Sequence, residues 1–371
     1  MVFISPRKSA IHQALLWLPI VALISCSQEQ AGLSKEKVAS LDSVVSAFMA
    51  RNKVPGVSVA IGSRTEIILE KAYGMADLEN LVPAKPSTVY RLASVSKTFT
   101  GVAVMQLAER GKIDLDAPVQ KYVPFFPLKK YPITIRQVLG HLSGIHHYLG
   151  VDEFNMRDYK NISEGFELFM NDSLQAEPGT KFIYSSYGYN LLGVIVESAS
   201  GKNFNEYVKE NILVPAGMEN TFPDNPLQII PNRTRFYDVT NGKIMNAVYI
   251  NTGYRVPAGG MLSTTGDLER LMFALWRGDL VKPASFEEMI MPMKTRDGQS
   301  VGYGFGLIIG LTPKFPGVIW HGGIQPGCTT SMAMLPEKDI SVVVLTNEGT
   351  MGTAEIVRIT DEILSVLTRR K

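Results

Sequence analysis

The stretch RLASVSKTFTGVAVMQLAERG, residues 91–111, contains a serine three positions before a lysine. On a helix this spacing brings Ser94 and Lys97 onto one face, one turn apart. The apolar pattern predicts a helix over 99–110, with Gly111 well suited to end it. Lys97 therefore lies where a largely buried helix begins, and loss of hydration lowers the pKa of a buried amine. A serine beside such a lysine is a candidate nucleophile.

The Ser-x-x-Lys pattern is weak evidence by itself, because it is short. It occurs three times in the chain, at Ser5/Lys8, Ser34/Lys37 and Ser94/Lys97. The alternative interpretation of the third match is a helix start in which Ser94 caps the helix and Lys97 is solvated. A capping role explains the serine but not a lysine one turn into an apolar helix. A serine at a helix N-terminus also lies near N–H groups that favour a developing oxyanion.

A nucleophilic serine needs a proton acceptor and groups that hold the substrate. Tyr184, in the segment YSS at 184–186, has a phenol whose pKa is expected to fall beside a cationic lysine. His321, in WHGGIQPG, lies between a predicted strand over 317–320 and a turn rich in glycine and proline. Taken singly, such a tyrosine and such a histidine are usually structural. Their combination with the serine and lysine is what indicates a site.

Segments at both ends of the chain alternate between helix and strand patterns. Apolar residues recur at helical spacing over 33–49, and the runs GVSVAIGS and TEIILEKAYG then predict a hairpin that turns at Ser63-Arg64. Near the other end, two strands are predicted around 336–339, followed by a helix over about 353–369. Between these segments the sequence is helical and rich in loops. This order predicts one α/β sandwich over residues 35–371, with a helical insertion at about 97–250.

The first 25 residues are typical of a signal peptide. A short basic region precedes the apolar run ALLWLPIVALIS at 14–25, which is short for a membrane span. The sequence Leu23-Ile24-Ser25-Cys26 resembles a bacterial lipobox, so Cys26 is predicted to carry lipid and residues 26–34 to form a tether. Ser27 is typical of lipoproteins sent to an outer membrane, facing the periplasm. A plain secretory signal and an uncleaved anchor are the alternatives.

The composition argues against several classes of function. The chain has 371 residues, 45% apolar and 19% charged, and a formal net charge of +2, so no nucleic-acid partner is expected. His141, His146 and His147 have no carboxylate or cysteine partner at metal-binding spacing, so no metal and no other cofactor is expected. Cys328 is the only cysteine besides Cys26, and it is expected to be a small buried residue.

Taken together, the motifs resemble a known family. Ser94-Val95-Ser96-Lys97, Tyr184-Ser185-Ser186 and His321-Gly322-Gly323 follow the order of the three motifs of serine β-lactamases and penicillin-binding proteins, most like the class C β-lactamase branch. The connecting segments ITIRQVLGHLSGI, PAGGMLSTTGDLERL and GYGFGL agree with it. Several segments, with NRTRFYDV, look particularly like the mitochondrial type of β-lactamase-like serine protease. The resemblance implies a central antiparallel sheet flanked by the N- and C-terminal helices, with an inserted, mostly helical subdomain.

The resemblance also implies roles for the residues of the first two motifs. Ser94 would be the acylated nucleophile. Lys97 and Tyr184 would share the proton transfers, with Tyr184 as the general base that also protonates the leaving group. Ser186 replaces the asparagine that contacts the substrate amide in β-lactamases, so efficient β-lactam hydrolysis is not expected, although acylation is.

The third motif would complete the site. His321 stands where many members of the family have lysine, and it would orient the substrate or tune the tyrosine. The backbone N–H groups of Ser94 and Ile324 would form the oxyanion hole, with Gly323 beside them. Gly322 removes a hydroxyl that other members carry next to the substrate.

The function implied is that of an envelope serine hydrolase, acting through an acyl-enzyme on an amide or ester. A peptide, a peptidoglycan-derived compound or a β-lactam is the expected substrate class, and the lipid anchor makes the membrane a partner. Two alternatives stay open. One is a true β-lactamase or D-Ala-D-Ala carboxypeptidase, and the other is a non-catalytic binding or filament-forming scaffold on the same fold. The oligomeric state is left open.

Overall fold

A computed structural model describes residues 32–369 of the chain. The predicted signal peptide at 1–25, Cys26 and most of the predicted tether lie outside the described residues. In chain order the strands are β1 Gly56–Gly62, β2 Ile67–Asp77, β3 Val82–Pro83, β4 Tyr90–Arg91, β5 Phe222–Pro223, β6 Tyr237–Thr240, β7 Lys243–Asn246, β8 Met261–Ser263, β9 Ile308–Ile309, β10 Ile319–Gln325, β11 Cys328–Leu335 and β12 Ile340–Thr346. The helices are α1 Lys35–Asn52, α2 Ser96–Glu109, α3 Ile135–Leu139, α4 Ser186–Ser200, α5 Phe204–Val208, α6 Val214–Ala216, α7 Val256–Gly259, α8 Thr265–Arg277, α9 Pro283–Met289 and α10 Thr353–Thr368.

The central sheet is antiparallel throughout and has the strand order β3-β2-β1-β12-β11-β10-β9. Its first three strands come from the N-terminal part of the chain and its last four from the C-terminal part. The two parts meet where β1 pairs with β12, from Val57 opposite Thr346 to Gly62 opposite Ser341. Helices contributed by both ends and by the middle of the chain flank this sheet. The predicted α/β class with a central antiparallel sheet is confirmed.

The helices at the two ends of the described chain share one face of the sheet. Ser34 caps α1, and the buried residues Leu41, Val45 and Phe48 follow one another at helical spacing. They pack with α10 against the side chains of β1 and β12 that point to this face, Val57, Val59, Ile61, Val342 and Val344. The intervening residues Ala60, Val343 and Leu345 belong to the core on the opposite face. This alternation is the period of two that a sheet buried on both faces requires.

Helix α2 runs through the core on that opposite face. Its residues from Ser96 to Leu107 are buried on every side, which is the pattern of a helix surrounded by other elements rather than lying on a surface. Its helix ends at Glu109, and Gly111 adopts the left-handed conformation expected of a residue that follows a helix C-terminus. The helix starts three residues earlier than the sequence pattern indicated, directly after a 3₁₀ turn at Ala93–Val95.

No helix within residues 32–369 is long and apolar enough to cross a membrane.

Candidate active site

Ser94 lies in the 3₁₀ turn that leads into α2. The cap residue of α2 is Val95, which makes no side-chain capping hydrogen bond. Ala93, the residue before the serine, has a φ of +44°, a left-handed conformation that is unusual for a side chain with a Cβ. The interpretation of Ser94 as a helix cap is therefore wrong. Its hydroxyl instead faces a pocket that it lines together with Ser186 and Ile324.

Lys97 is completely buried, one helical turn after the serine. Its Nζ lies 3.1 Å from Ser94 Oγ, 3.0 Å from Ser186 Oγ and 2.7 Å from the Ala258 carbonyl oxygen. Burial lowers the pKa of Lys97 well below the usual value, and the positive charge of Arg255 lowers it further. The prediction that this lysine lies at the start of a buried helix is confirmed, and its burial favours the uncharged form of the amine.

An uncharged lysine amine has two N–H donors and one lone pair. Lys97 has three oxygen neighbours, and the Ala258 carbonyl can only accept a hydrogen bond. One of the two serine hydroxyls must then donate to the lone pair. In its uncharged form, Lys97 is therefore a base that can take the proton of Ser94 without first losing one of its own.

Tyr184 completes the immediate surroundings of the serine. Its ring centre lies 4.9 Å from Lys97 Nζ, and its phenol interacts with Ser94. Burial raises the pKa of Tyr184 above the usual range, and the interaction with Ser94 only partly offsets this. The expected fall of this pKa was therefore wrong, because burial of the phenol has the largest effect on it. The phenol is protonated and is placed to donate.

Two histidines hold the YSS segment in position. The Ser185 N–H donates to His141 Nδ1 at 3.0 Å, and the Ser186 N–H donates to His147 Nδ1 at 3.2 Å. In a neutral imidazole the proton is then on the other nitrogen of each ring. Burial, with Lys97 nearby, lowers the pKa of both rings, that of His147 to about 4. These histidines, which the sequence marked only as an unpromising metal site, shape the turn that carries Tyr184.

His321 lies behind the site rather than in the wall of the pocket. Its Nδ1 is 2.7 Å from the Gly322 carbonyl oxygen, so this nitrogen carries the proton. Its Nε2 consequently accepts a hydrogen bond from the Tyr303 hydroxyl at 2.9 Å. Burial, together with Lys97, lowers the pKa of His321 to about 3, which leaves the ring neutral. Through Tyr303, whose ring packs against that of Tyr184, this histidine supports the tyrosine side of the site.

Strand β10 brings its backbone directly against the nucleophile. A Cβ at Gly323 would lie 2.3 Å from the Leu92 carbonyl oxygen and 2.8 Å from the Ser94 nitrogen, so only glycine fits. The hairpin between β10 and β11 closes at Gln325 opposite Cys328, which makes Ile324 opposite Thr329 a non-hydrogen-bonded pair. The Ile324 N–H therefore points away from β11, toward the open edge of the strand where Ser94 lies.

The pocket at Ser94 has an empty volume of about 310 Å³, part of which is open to solvent. Besides Ser94, Ser186 and Ile324, its wall includes four polar or ionisable side chains that sequence reasoning missed as site residues: His147, Tyr148, Arg255 and Gln325. Arg255 stands just before the segment PAGGMLSTTGDLERL and is 2% exposed. The arginine itself, between Tyr254 and Val256 in an otherwise buried stretch, was the signal that could have indicated a site residue.

Neither histidine nor cysteine chemistry suggests a metal here. Within residues 32–369 no group of three His, Cys, Asp or Glu side chains could hold a metal ion. Cys328 is buried in β11, and burial raises the pKa of its thiol to about 12, so it is an inert core residue. The described site therefore consists of hydroxyl, amine, imidazole, guanidinium and amide groups.

A serine hydroxyl in contact with a buried lysine amine and close to a tyrosine phenol is the arrangement of an activated serine nucleophile. The chain belongs to the β-lactamase family, whose model matches residues 41–364. The three motifs recognised in the sequence thus lie in the matched region, and the resemblance is confirmed.

Similar proteins of this family come from different kingdoms. The chain is 33% identical over 294 residues to the human mitochondrial serine β-lactamase-like protein LACTB, an alignment that covers 60% of this chain and 54% of that protein. It is 30% identical over 318 residues to penicillin-binding protein 4* of Bacillus subtilis, covering 81% and 70%. The octameric penicillin-binding protein homologue of Pyrococcus abyssi superimposes with a TM-score of 0.77 at 29% identity, covering 89% of this chain and 77% of that one. The chain thus spans about half the length of the mitochondrial relatives.

Proposed function

We propose that the protein cleaves an amide or ester through an acyl-enzyme on Ser94. The observation that carries this proposal is the 3.1 Å contact between Ser94 Oγ and the Nζ of a completely buried Lys97. An uncharged amine at this distance is a general base that is ready before the substrate arrives. A lysine placed in this way is costly to bury and has no purpose in a scaffold that only binds.

The proposed reaction starts with proton transfer from Ser94 Oγ to Lys97 Nζ as the oxygen attacks the substrate carbonyl. The new Oγ–C bond forms while the carbonyl π electrons move to the oxygen. The N–H groups of Ser94 and Ile324 then donate to this oxyanion. The burial that favours the uncharged form of Lys97 also makes its ammonium form a stronger acid, so the lysine readily gives up the proton that it has accepted.

The second half of the reaction returns the proton. When the tetrahedral intermediate collapses, the C–N or C–O bond of the substrate breaks and the leaving group needs a proton. The hydroxyl of Tyr184, which its raised pKa keeps protonated and whose ring centre lies 4.9 Å from Lys97 Nζ, is the proposed relay from Lys97 to the leaving group. Water then attacks the acyl-enzyme with the same groups acting in reverse, which restores the free Ser94 hydroxyl.

A peptide or another small amide or ester is the proposed substrate class. Penicillin-binding proteins are among the similar proteins, which favours acylation by penicillin as well. Ser186 donates or accepts through one hydroxyl, and that hydroxyl is engaged with Lys97 at 3.0 Å. It lacks the separate donor and acceptor of an amide, so slow release of a penicilloyl group is expected rather than rapid turnover.

Covalent labelling tests this proposal. Residues 27–371 are incubated with a fluorescent penicillin or a fluorophosphonate, and the modified peptide is located by mass spectrometry. Both reagents are expected to label Ser94, with slow release of the penicillin. Ser94→Ala should lose the label, whereas Ser43→Ala, which removes an exposed hydroxyl on α1, should keep it.

The outcomes of this experiment separate the alternatives. Fast turnover of penicillin by the wild type would make the protein a β-lactamase, and release of D-alanine from a D-Ala-D-Ala peptide a carboxypeptidase. Hydrolysis that survives Ser94→Ala would overturn the mechanism. Absence of labelling by either reagent would favour the scaffold.

We further propose that the protein is exported and anchored through lipid on Cys26, in the bacterial cell envelope. The lipobox-like sequence and the polar residues that follow it support this proposal. Metabolic labelling with an alkyne-tagged fatty acid is expected to mark the full chain and to fail for Cys26→Ser. Cys328→Ser is the matched control and should retain the label, because this cysteine is buried in the sheet. Equal labelling of Cys26→Ser and the wild type would reject the anchor.

A further inference from the structure

Arg91 lies three residues before Ser94, and its side chain is buried in the protein. It is the second residue of β4 and is 6% exposed. It is not among the described residues that line the pocket at Ser94, and the proposed reaction does not use it. Burial of a guanidinium is costly unless its charge and its N–H groups are satisfied. The groups that satisfy Arg91 therefore indicate what it does.

A buried carboxylate neutralises the charge of Arg91. The Nε–H group donates to Asp224 Oδ2 at 2.7 Å, and Asp224 is itself buried. The Asp224 N–H donates to the Gly260 carbonyl oxygen at 2.8 Å, and the Asp224 carbonyl oxygen accepts from the Thr252 hydroxyl at 3.1 Å. Arg91 is thus tied to the segment that follows β5, and that segment is fixed at its backbone.

A second nitrogen of the same guanidinium reaches the turn that follows β10. Arg91 Nη1 donates to the Pro326 carbonyl oxygen at 3.0 Å, although 235 positions separate the two residues in the chain. The ring centre of Phe236 lies 3.9 Å from the guanidinium carbon and supports the planar group. One rigid side chain therefore joins the strand before the nucleophile to the turn after β10.

The two proposed oxyanion donors lie on the two segments that Arg91 joins. Ser94 follows Arg91 by three residues, and Ile324 precedes Pro326 by two. Both donors are backbone N–H groups, so their positions depend on how the two segments are placed relative to each other. Groups that act on a transition state must be held within about 0.5 Å of the productive geometry. The placement of these segments is therefore a requirement of the reaction.

A second attachment is needed to fix this placement. The Leu92 carbonyl oxygen accepts from the Thr330 hydroxyl at 2.9 Å, and Gly323 packs closely against the same carbonyl. These contacts set the distance between the segments near Leu92, but contacts at one point do not restrict rotation about that point. The hydrogen bond from Arg91 to Pro326 attaches the segments at a second point and restricts this rotation.

We propose that Arg91 is a positioning residue for the oxyanion hole. Its two hydrogen bonds fix the segments relative to each other, so that the N–H groups of Ser94 and Ile324 converge on the substrate oxygen. Arginine suits this role because its donors have a fixed planar geometry, whereas a lysine ammonium is a point charge on a flexible stem. The proposal rests on the proposed acyl-enzyme function and concerns the arrangement of its donors.

Two esters that differ in one atom test the proposal. p-Nitrophenyl acetate and its thiono analogue, in which sulfur replaces the carbonyl oxygen, release the same p-nitrophenolate. Sulfur is larger and accepts hydrogen bonds more weakly, so an aligned oxyanion hole favours the oxygen ester. The quantity measured is the ratio of the two kcat/KM values, oxygen over thiono, divided by the same ratio for hydrolysis by hydroxide. A general loss of folded enzyme cancels from this normalised ratio.

The decisive variant combines Arg91→Met with Asp224→Leu. Replacement of a buried ion pair by apolar side chains is often neutral or stabilising, so the fold is expected to persist. The hydrogen bond to Pro326 is lost, and kcat/KM for the oxygen ester should fall about tenfold to a hundredfold. The thiono ester should be affected less, so the normalised ratio should fall. Arg91→Lys keeps the charge beside Asp224 but not both hydrogen bonds, and it is the second variant that should lower the ratio.

Phe48→Ala is the matched control for lowered stability, because Phe48 is completely buried on the opposite face of the sheet. It should keep the normalised ratio of the wild type. A wild-type ratio in every folded Arg91 variant, or an equal fall of the ratio in Phe48→Ala, overturns the proposal. Hydrolysis that depends on Ser94 would still stand in that case. A wild type that hydrolyses neither ester through Ser94 would instead overturn the proposed function, and this proposal with it.

Discussion

The two faces of the central sheet differ in what they bury. The face covered by α1 and α10 is almost entirely apolar, and the hydroxyls of Thr360 and Ser331 that it contains bond each other at 2.9 Å. The face toward α2 buries an amine and several imidazoles, among them Lys97, His141 and His321. An apolar face gains free energy from burial alone, whereas the other bears a cost for each ionisable group it holds. The face covered by α1 and α10 thus stabilises the fold. Burial of ionisable groups on the face toward α2 lowers the stability of the fold, and the same burial favours the uncharged form of the amine.

The largest expected effect is that of Lys97→Met. Acylation of Ser94 should slow by about 10³-fold or more, because the proton acceptor is gone.

The stability of Lys97→Met should also depend on pH differently from that of the wild type. In the wild type the pKa of Lys97 is near 10.5 in the unfolded chain and lower in the folded protein, so stability falls as the pH drops below 10.5. The Lys97→Met variant lacks this loss. Urea unfolding should therefore show that its free energy of unfolding, relative to that of the wild type, is higher at pH 7 than at pH 10.

Lys130→Met is the matched control for this experiment, because it removes an exposed lysine from a loop. It should leave both the labelling rate and the pH dependence close to those of the wild type. A Lys97→Met protein with the pH dependence of the wild type would mean that the buried amine is charged, and the contrast between the two faces would no longer hold.

The opposite face is tested by Phe48→Ala. Phe48 is completely buried between α1, α10 and the sheet. Its truncation should lower the free energy of unfolding by about 3 to 5 kcal/mol through lost burial and the cavity left behind. Labelling of Ser94, corrected for the folded fraction at low temperature, should remain within about twofold of the wild type. Chemical denaturation and fluorophosphonate labelling measure the two quantities, and a large loss of labelling in folded protein would show that the faces are not independent.

Gly323→Ala should have a smaller effect than loss of the base, but a specific one. The new methyl group would displace the Leu92 carbonyl or the Ser94 nitrogen, which lie 2.3 Å and 2.8 Å from its position. The displacement moves the proposed oxyanion donors out of position, so acylation should slow about 10²- to 10³-fold. Gly352→Ala is the matched control, since a Cβ there meets nothing within 4 Å. Unchanged acylation kinetics in Gly323→Ala would show that β10 does not contribute to the reaction.

Tyr303→Phe should have the smallest effect on the rate. It removes the hydroxyl that donates to His321 Nε2 and leaves that nitrogen buried without its partner, which should cost about 1 to 3 kcal/mol of stability. Acylation should slow less than tenfold, because phenylalanine keeps the ring that packs against Tyr184. Stopped-flow acylation and thermal unfolding test this together. A loss of rate as large as that of Gly323→Ala would place Tyr303 within the proton transfers.

Much of the fold was predictable because its signals are local. The helix over 33–49, the hairpin at Ser63-Arg64 and the helix over 353–369 all correspond to observed elements, since each depends on periodicity and turn residues close in sequence. The start of α2 was misplaced by three residues. A 3₁₀ turn with a left-handed Ala93 precedes it, and the contact of this turn with β10, more than two hundred residues away, has no local signature.

The candidate site was predictable only in part, for the same reason. Ser94, Lys97, Tyr184 and His321 stood out through motif order, and the structure brings them around one another. His147, Tyr148, Arg255 and Gln325 were missed, because nothing near them in sequence indicates that they line one pocket.

By itself, the sequence determined the class of fold, the family and the residues that gather at the nucleophile, because these follow from patterns that are read along the chain. Only the tertiary structure decided which of these residues carry protons. The pKa of Lys97 falls and that of Tyr184 rises because segments far apart in the chain together remove water from both. Desolvation belongs to the packed assembly of segments, and no single stretch of sequence specifies it.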